Sequence, residues 1–112
     1  MKKYELTEQN EQGLYRIRAL IDFADVRAGT IGGWIGSEDN LDQEGDCWVY
    51  EKAQAYGKAQ VYENAQVYES AWVYGDAWVY GSALVCGDAR VYGSALVYGN
   101  AQVCETEQGQ TV

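Results

Sequence analysis

Residues 47–106, read in sixes, run CWVYEK, AQAYGK, AQVYEN, AQVYES, AWVYGD, AWVYGS, ALVCGD, ARVYGS, ALVYGN, AQVCET. These are ten successive copies of one phrase, Ala-x-Val-Tyr-Gly-polar, with no insertion or slip. A fixed period marks a repeat architecture, whose units bury their apolar side only by stacking on neighbours. Within each copy Val lies between variable or bulky residues, the pattern of a short strand with Val inward and its flanks outward. The Gly-polar pair that follows, as at Gly75-Asp76, Gly81-Ser82 and Gly99-Asn100, is a turn signal. Glycine adopts dihedrals that other residues avoid, and Asp, Asn or Ser bonds nearby backbone. The Ala after the turn is small enough to face inward at a corner. A strand, a corner and another strand in every hexad describe a coil with flat faces.

The flanks differ in character. Tyr4 to Thr7 is a short β-prone run, followed by polar residues 8–13 and by Leu14 to Leu20, where apolar residues alternate with Arg16 and Arg18. This pattern predicts a hairpin with one wet face. Residues 21–36 hold Ile21, Phe23, Val26, Ile31, Trp34 and Ile35 among glycines. They read as an irregular segment that packs on the open end of the solenoid, since terminal repeats need a cap. Residues 37–46, SEDNLDQEGD, carry five acids in ten positions and read as a solvated connecting loop. A calcium loop is the sharper alternative, but the order of acids does not follow the D-x-[DN]-x-[DN]-G pattern. The expected organisation is a hairpin and cap over 1–46, the repeat over 47–106 and a polar tail over 107–112.

The phrase Val-x-x-[Asn/Asp/Ser]-Ala-x, as in Val73 to Trp78, resembles the hexapeptide repeat of left-handed parallel β-helices. The resemblance covers Cys47 to Thr106. One departure is systematic: the position after the aliphatic residue, usually small in that family, is Tyr or Cys here. The resemblance implies an all-β fold, a short left-handed parallel β-helix of about three coils with three hexads per coil. With that coil, Val49, Val67, Val85 and Val103 stack inside one face, Ala55, Val73 and Val91 inside the second, and Val61, Val79 and Val97 inside the third. Outside run the ladders Tyr56-Tyr74-Tyr92, Tyr62-Tyr80-Tyr98 and Tyr50-Tyr68-Cys86-Cys104. A two-faced solenoid with two hexads per coil is the alternative, and sets Cys86 beside Tyr74 and Tyr98 instead. The whole chain, with its GGWIGSEDNL bridge and AxVYGxA array, also resembles small uncharacterised proteins of bacteriophages and prophages.

Composition narrows the function. The hexapeptide family includes acyltransferases and zinc-dependent carbonic anhydrases, which rely on histidine as general base or metal ligand. This chain of 112 residues has none, and the array has no loop insertions to form a coenzyme cleft. No enzyme activity, cofactor or metal is therefore expected. Ice binding through a threonine array fails because the array holds no Thr before Thr106. A formal net charge of −9 disfavours nucleic acid as a ligand and favours a protein partner with a basic surface. The sequence shows no membrane span and no signal-like opening, so a cytoplasmic setting is expected. There its three cysteines would be reduced thiols. Under the left-handed arrangement Cys86 and Cys104 fall on one column, about 4.8 Å apart, within disulfide reach. Each occupies a Tyr slot and is read as a free thiol, and Cys47 takes a buried Ala slot.

What remains is surface. The outward aromatics Trp72, Trp78, Tyr74, Tyr80, Tyr92 and Tyr98 either stiffen the strands or form an interface. From residue 59 onward Arg90 is the only base against six acids, and Glu63, Glu69, Asp76 and Asp88 at the corners are the candidate contacts for a basic partner. Two readings compete. In one, the protein occupies a nucleic-acid-binding site of a host defence complex, as a phage-encoded inhibitor would. In the other, it is a structural protein that self-assembles as a dimer or trimer through its aromatic faces. An acyltransferase-like remnant without activity is the remote third.

Overall fold

The computed structural model describes residues 2–104; the polar tail expected over 107–112 and the final Glu105-Thr106 of the last hexad lie outside them. The alternating apolar residues of the N-terminus fold as an antiparallel hairpin, β1 (Tyr4–Gln9) and β2 (Tyr15–Ala19). Next come β3 (Ile31–Ile35) and a single 3-10 turn, Glu38–Asn40. The hexads then supply ten strands of two residues each: β4 (Trp48–Val49), β5 (Gln54–Ala55), β6 (Gln60–Val61), β7 (Gln66–Val67), β8 (Trp72–Val73), β9 (Trp78–Val79), β10 (Leu84–Val85), β11 (Arg90–Val91), β12 (Leu96–Val97) and β13 (Gln102–Val103).

Pairing within the array is parallel and always joins a strand to the one three hexads later, as in Gln54 to Trp72 to Arg90 and Trp78 to Leu96. This establishes three hexads per coil and excludes the two-hexad coil. The first face is the sheet β4-β7-β10-β13, the second continues as β3-β5-β8-β11, and the third is β6-β9-β12. Val49, Val67, Val85 and Val103 fill the first column, Ala55, Val73 and Val91 the second, and Val61, Val79 and Val97 the third; none is more than 4% exposed. The corner alanines Ala53 to Ala95 are equally buried, at 0–2%. Fully burying a Val side chain stabilises by about 1.5–3 kcal/mol, and no coil can do so alone.

The coil starts earlier than the repeat. Trp34 and Ile35 pair in parallel with Gln54 and Ala55, and Leu41 bridges Val61. The second face is thus four parallel strands deep, β3-β5-β8-β11, and Leu41 precedes β6 on the third, so the stack has about four coils where about three were expected. The acidic stretch forms a corner of this first coil rather than only a solvated loop. Leu41 is 0% exposed and takes the core slot one hexad after Ile35. Asn40, also 0% exposed, donates from Nδ2 to the Gly57 and Ala59 carbonyls and accepts the Gly36 and Ser37 N–H groups on Oδ1. The first coil is also longer than the others. Ile35 pairs with Ala55, two positions beyond the three-hexad step that holds from the Trp48–Gln66 pair onward, and the extra pair of positions falls within 42–46.

The N-terminal segment caps the solenoid in two ways. The hairpin lengthens the second face, so that β2 and then β1 add antiparallel strands to the edge that β3 would otherwise expose. The chain also folds over the start of the first face. Trp48, in an outward slot of its hexad, is only 1% exposed because Tyr4 and Phe23 meet its indole edge-on at 6.1 and 5.2 Å. Gly32 makes room for it: a Cβ there would lie 2.6 Å from the indole. Lys3 pins the crossing, its Nζ donating to the carbonyls of Cys47 (2.7 Å) and Gly45 (3.2 Å) above the Phe23 ring. No helix among the described residues is long and apolar enough to cross a membrane.

Candidate interaction surface

The hexads turn their corners with a Tyr carbonyl, or that of Cys86, accepting the N–H of the Ala three positions later, as in Ala77 to Tyr74. From Gly57 to Gly99 the residue after the Tyr or Cys takes a left-handed φ, +68° at Gly75 and Gly81. The next residue donates its N–H to the coil below, as Asp76 does to the Gly93 carbonyl at 2.8 Å. A side chain at Gly75 would put its Cβ 2.9 Å from that coil's backbone. Sequence position therefore fixes where each polar corner residue stands.

That rule separates the candidate acids. Glu69 and Asp88 lie on the edge between the first and second faces. Asp76 lies between the second and third, and Glu63 between the third and first. The four do not converge on one patch. Glutamates in this set also bind the next coil. Glu63 and Glu69 stand in the glycine slot with φ of +59° and +58°, and their Oε1 atoms accept the N–H of Gly81 (2.9 Å) and Gly87 (2.8 Å) in the next coil. Reading the acids as surface charge misses this role; its signal is a Glu followed three hexads later by Gly.

The aromatic residues do align. Tyr56, Tyr74 and Tyr92 stack at 5.1 and 5.2 Å on the second face, and Tyr62, Tyr80 and Tyr98 at 4.9 and 5.5 Å on the third, with ring planes within 15°. Burial, then the neighbouring Tyr74 or Tyr80, pushes the Tyr56 and Tyr62 phenols up from their ordinary pKa. On the first face Tyr50 and Tyr68 meet edge-on instead, and Tyr50 donates to Asp25 of the cap. Below them stand Cys86 and Cys104. Against the expectation of free thiols, the structure joins these two sulfurs, with Cα atoms 4.4 Å apart; Cys47 is free and buried.

The three faces differ in what is left open. The cap covers the head of the first. On the second, the Arg90 guanidinium lies 4.1 Å over Trp72 and that of Arg16 lies 4.9 Å over Trp34, so both indoles are partly shielded. The third carries no charged side chain on its strands, which present Gln60, Trp78 and Leu96 beside the tyrosine ladder. Trp78 and Tyr98 are 42% and 41% exposed there. At its upper margin an open groove of about 690 Å³ runs between the first-coil corner and the face, lined by Glu38, Asp39, Asp42, Lys58, Gln60 and Tyr62 among others. Glu38 is already engaged by Lys2 and Gln43, at 3.0 Å each, and hydrogen bonds from those two side chains hold its carboxyl below the usual range. Among the described residues no group of three or more His, Cys, Asp or Glu side chains is placed to hold a metal ion.

A family profile described as the YdcK β-solenoid repeat matches residues 59–75, 83–99 and 89–105. The last two matches are offset by one hexad. The chain is a repeat β-helix. A relative, the "Uncharacterized acetyltransferase YdcK" of Escherichia coli (strain K12), is 45% identical over a 64-residue alignment that covers 46% of this chain. This chain covers 20% of that relative's length.

Proposed function

We propose that this repeat β-helix is a non-catalytic binding protein and that its third face is the contact surface. The observation that carries the reading is the exposure of Trp78 and Tyr98 on the one face that the cap leaves bare and that no guanidinium shields. Tyr and Trp supply large, rigid contact area at low entropic cost, which is why they anchor interfaces. The partner is a protein with a basic surface, selected by the net charge of −9 and by acids at both margins of the face, Asp76 on one edge and Glu63 on the other. Occupation of a nucleic-acid-binding site in a host complex, as by a phage-encoded inhibitor in the bacterial cytoplasm, is the concrete form of this reading. The absence of histidine in all 112 residues supports a role without acid–base catalysis. The acetyltransferase in the relative's name belongs to a protein of which this chain covers one fifth.

The test is capture from bacterial lysate at low and moderate salt, with the parent chain, Trp78→Ala/Tyr98→Ala and Asp76→Lys. Retention of a basic, salt-released partner by the parent, with at least a tenfold loss in the double variant and a smaller loss in Asp76→Lys, is expected. Equal capture by all three chains contradicts the assignment of the face, and saturable binding of acetyl-coenzyme A contradicts its non-catalytic character. The same bare face supports a second reading, self-association, with Trp78, Leu96 and Tyr98 buried against another copy. In that case light scattering reports a discrete oligomer that Trp78→Ala/Tyr98→Ala dissociates.

A further inference from the structure

The cysteine pair sits at a position where a cross-link has a defined mechanical effect. Cys86 and Cys104 are in register on adjacent coils, next to the paired Val85 and Val103, with Cα atoms 4.4 Å apart. They replace two tyrosines at the foot of a ladder that begins Tyr50-Tyr68. The step from one to the other spans one whole coil, the last described one. Its strands β11, β12 and β13 end their respective sheets among the described residues. In a solenoid each coil is held by its neighbours, so a coil with fewer restraints opens more readily. The head of the stack is held by the hairpin, by Lys3 and by Tyr4, and no equivalent device is present around β11 to β13 among the described residues.

We propose that Cys86 and Cys104 form a redox clip that locks the last described coil onto the one before it. The two sulfurs have different surroundings suited to two successive exchange steps: Cys104 is exposed and Cys86 is 3% exposed. A low-molecular-weight disulfide such as oxidised glutathione is the oxidant. The Cys104 thiolate attacks one of its sulfurs, forming a mixed disulfide and expelling the first glutathione thiolate. Cys86 then attacks the Cys104 sulfur and expels the second. Each protein sulfur gives up one electron, the glutathione disulfide takes two, and the two thiol protons leave with the glutathione products. Reduction by excess thiol reverses both steps. Closure shortens the loop that the opened coil can explore, so its opening becomes rarer without any new contact in the closed form. Cys47, buried at 0% exposure and held beneath Lys3, takes no part.

Intact-protein mass spectrometry with thiol alkylation, followed by amide hydrogen exchange of the full chain, tests this. The chain is equilibrated with excess oxidised glutathione or with dithiothreitol, alongside Cys104→Ser and the ladder-restoring pair Cys86→Tyr/Cys104→Tyr. After oxidation, alkylation at Cys86 and Cys104 is lost while denatured Cys47 still reacts. Exchange across 90–103 slows by roughly tenfold or more relative to the reduced chain, and exchange across 54–73 is unchanged. Neither variant responds to redox conditions, and the tyrosine pair shows that the coil folds without the clip. Three alkylatable cysteines after oxidation, a stable glutathione adduct on Cys104, or a disulfide that leaves exchange of 90–103 unaltered would each overturn the proposal.

Discussion

At the residue scale, single side chains settle how one coil is joined to the next. Glu63 combines an unfavourable left-handed φ of +59° with a favourable bond to the Gly81 N–H. The two effects predict an order that side-chain size alone does not. Glu63→Ala keeps the strained backbone and loses the bond, so it is expected to destabilise by about 1 kcal/mol. Glu63→Gly loses the bond but relieves a strain of similar size, so it stays within about 0.5 kcal/mol of the parent. Urea denaturation of both variants measures this, and an alanine variant more stable than the glycine one contradicts it. Tyr4 gives a pH dependence. Burial, followed by the charge of Glu38, pushes its phenol well above its ordinary value, while its hydroxyl donates to the Leu41 carbonyl at 2.5 Å. A group whose folded pKa is raised contributes stability that is full below its unfolded pKa, about 10 for tyrosine, and lost as pH rises above it. The melting temperature is therefore expected to fall steadily above about pH 10. Tyr4→Phe, less stable at neutral pH for want of the bond, falls less steeply. Parallel slopes would show that Tyr4 is not responsible.

At the element scale the unit is the ladder. Tyr74 touches stacked rings above and below, whereas Tyr92 touches only Tyr74 within its ladder. Stacked pairs contribute about 0.5–1.5 kcal/mol beyond burial. Tyr74→Ala is thus expected to cost about twice as much stability as Tyr92→Ala, and equal losses would mean that the stacking adds nothing. The ladders and the valine columns were legible in the sequence because both follow from a single number, the period of six. The first coil was not. Ile35 pairs with Ala55, off the three-hexad step, so Ile35, Asn40 and Leu41 fall out of phase with the hexads, and the acids around them mask the apolar signal. Trp48 was equally hidden: its slot points outward, and only tertiary contact with Tyr4 and Phe23 buries it. The grouping of corner acids was accessible to arithmetic, since Glu63, Glu69 and Asp76 belong to three successive corners. Composition treated as one field what the coil distributes over three edges.

For the whole molecule, stability is a sum over stacked coils. The head is stitched by sheet extension, by the Lys3 ammonium on two carbonyls, and by Tyr4. Lys3→Met removes the donor and leaves the Gly45 and Cys47 carbonyls short of a partner, a cost of about 1–3 kcal/mol. Hydrogen exchange should show the loss concentrated in β1 and β2, and a uniform loss across all coils would contradict this account of the cap. The cap covers the head of one face and guanidinium groups shield the indoles of another, so the exposed Trp78 and Tyr98 lie on the third, and the functional reading rests on that face. Hydroxyl-radical footprinting of the chain, alone and bound to the captured partner, tests that claim most directly. Trp78 and Tyr98 are expected to lose reactivity on binding while Trp34 and Trp72 keep theirs. Protection confined to the hairpin or to the Arg90 face, with Trp78 as reactive as in the free chain, would contradict it.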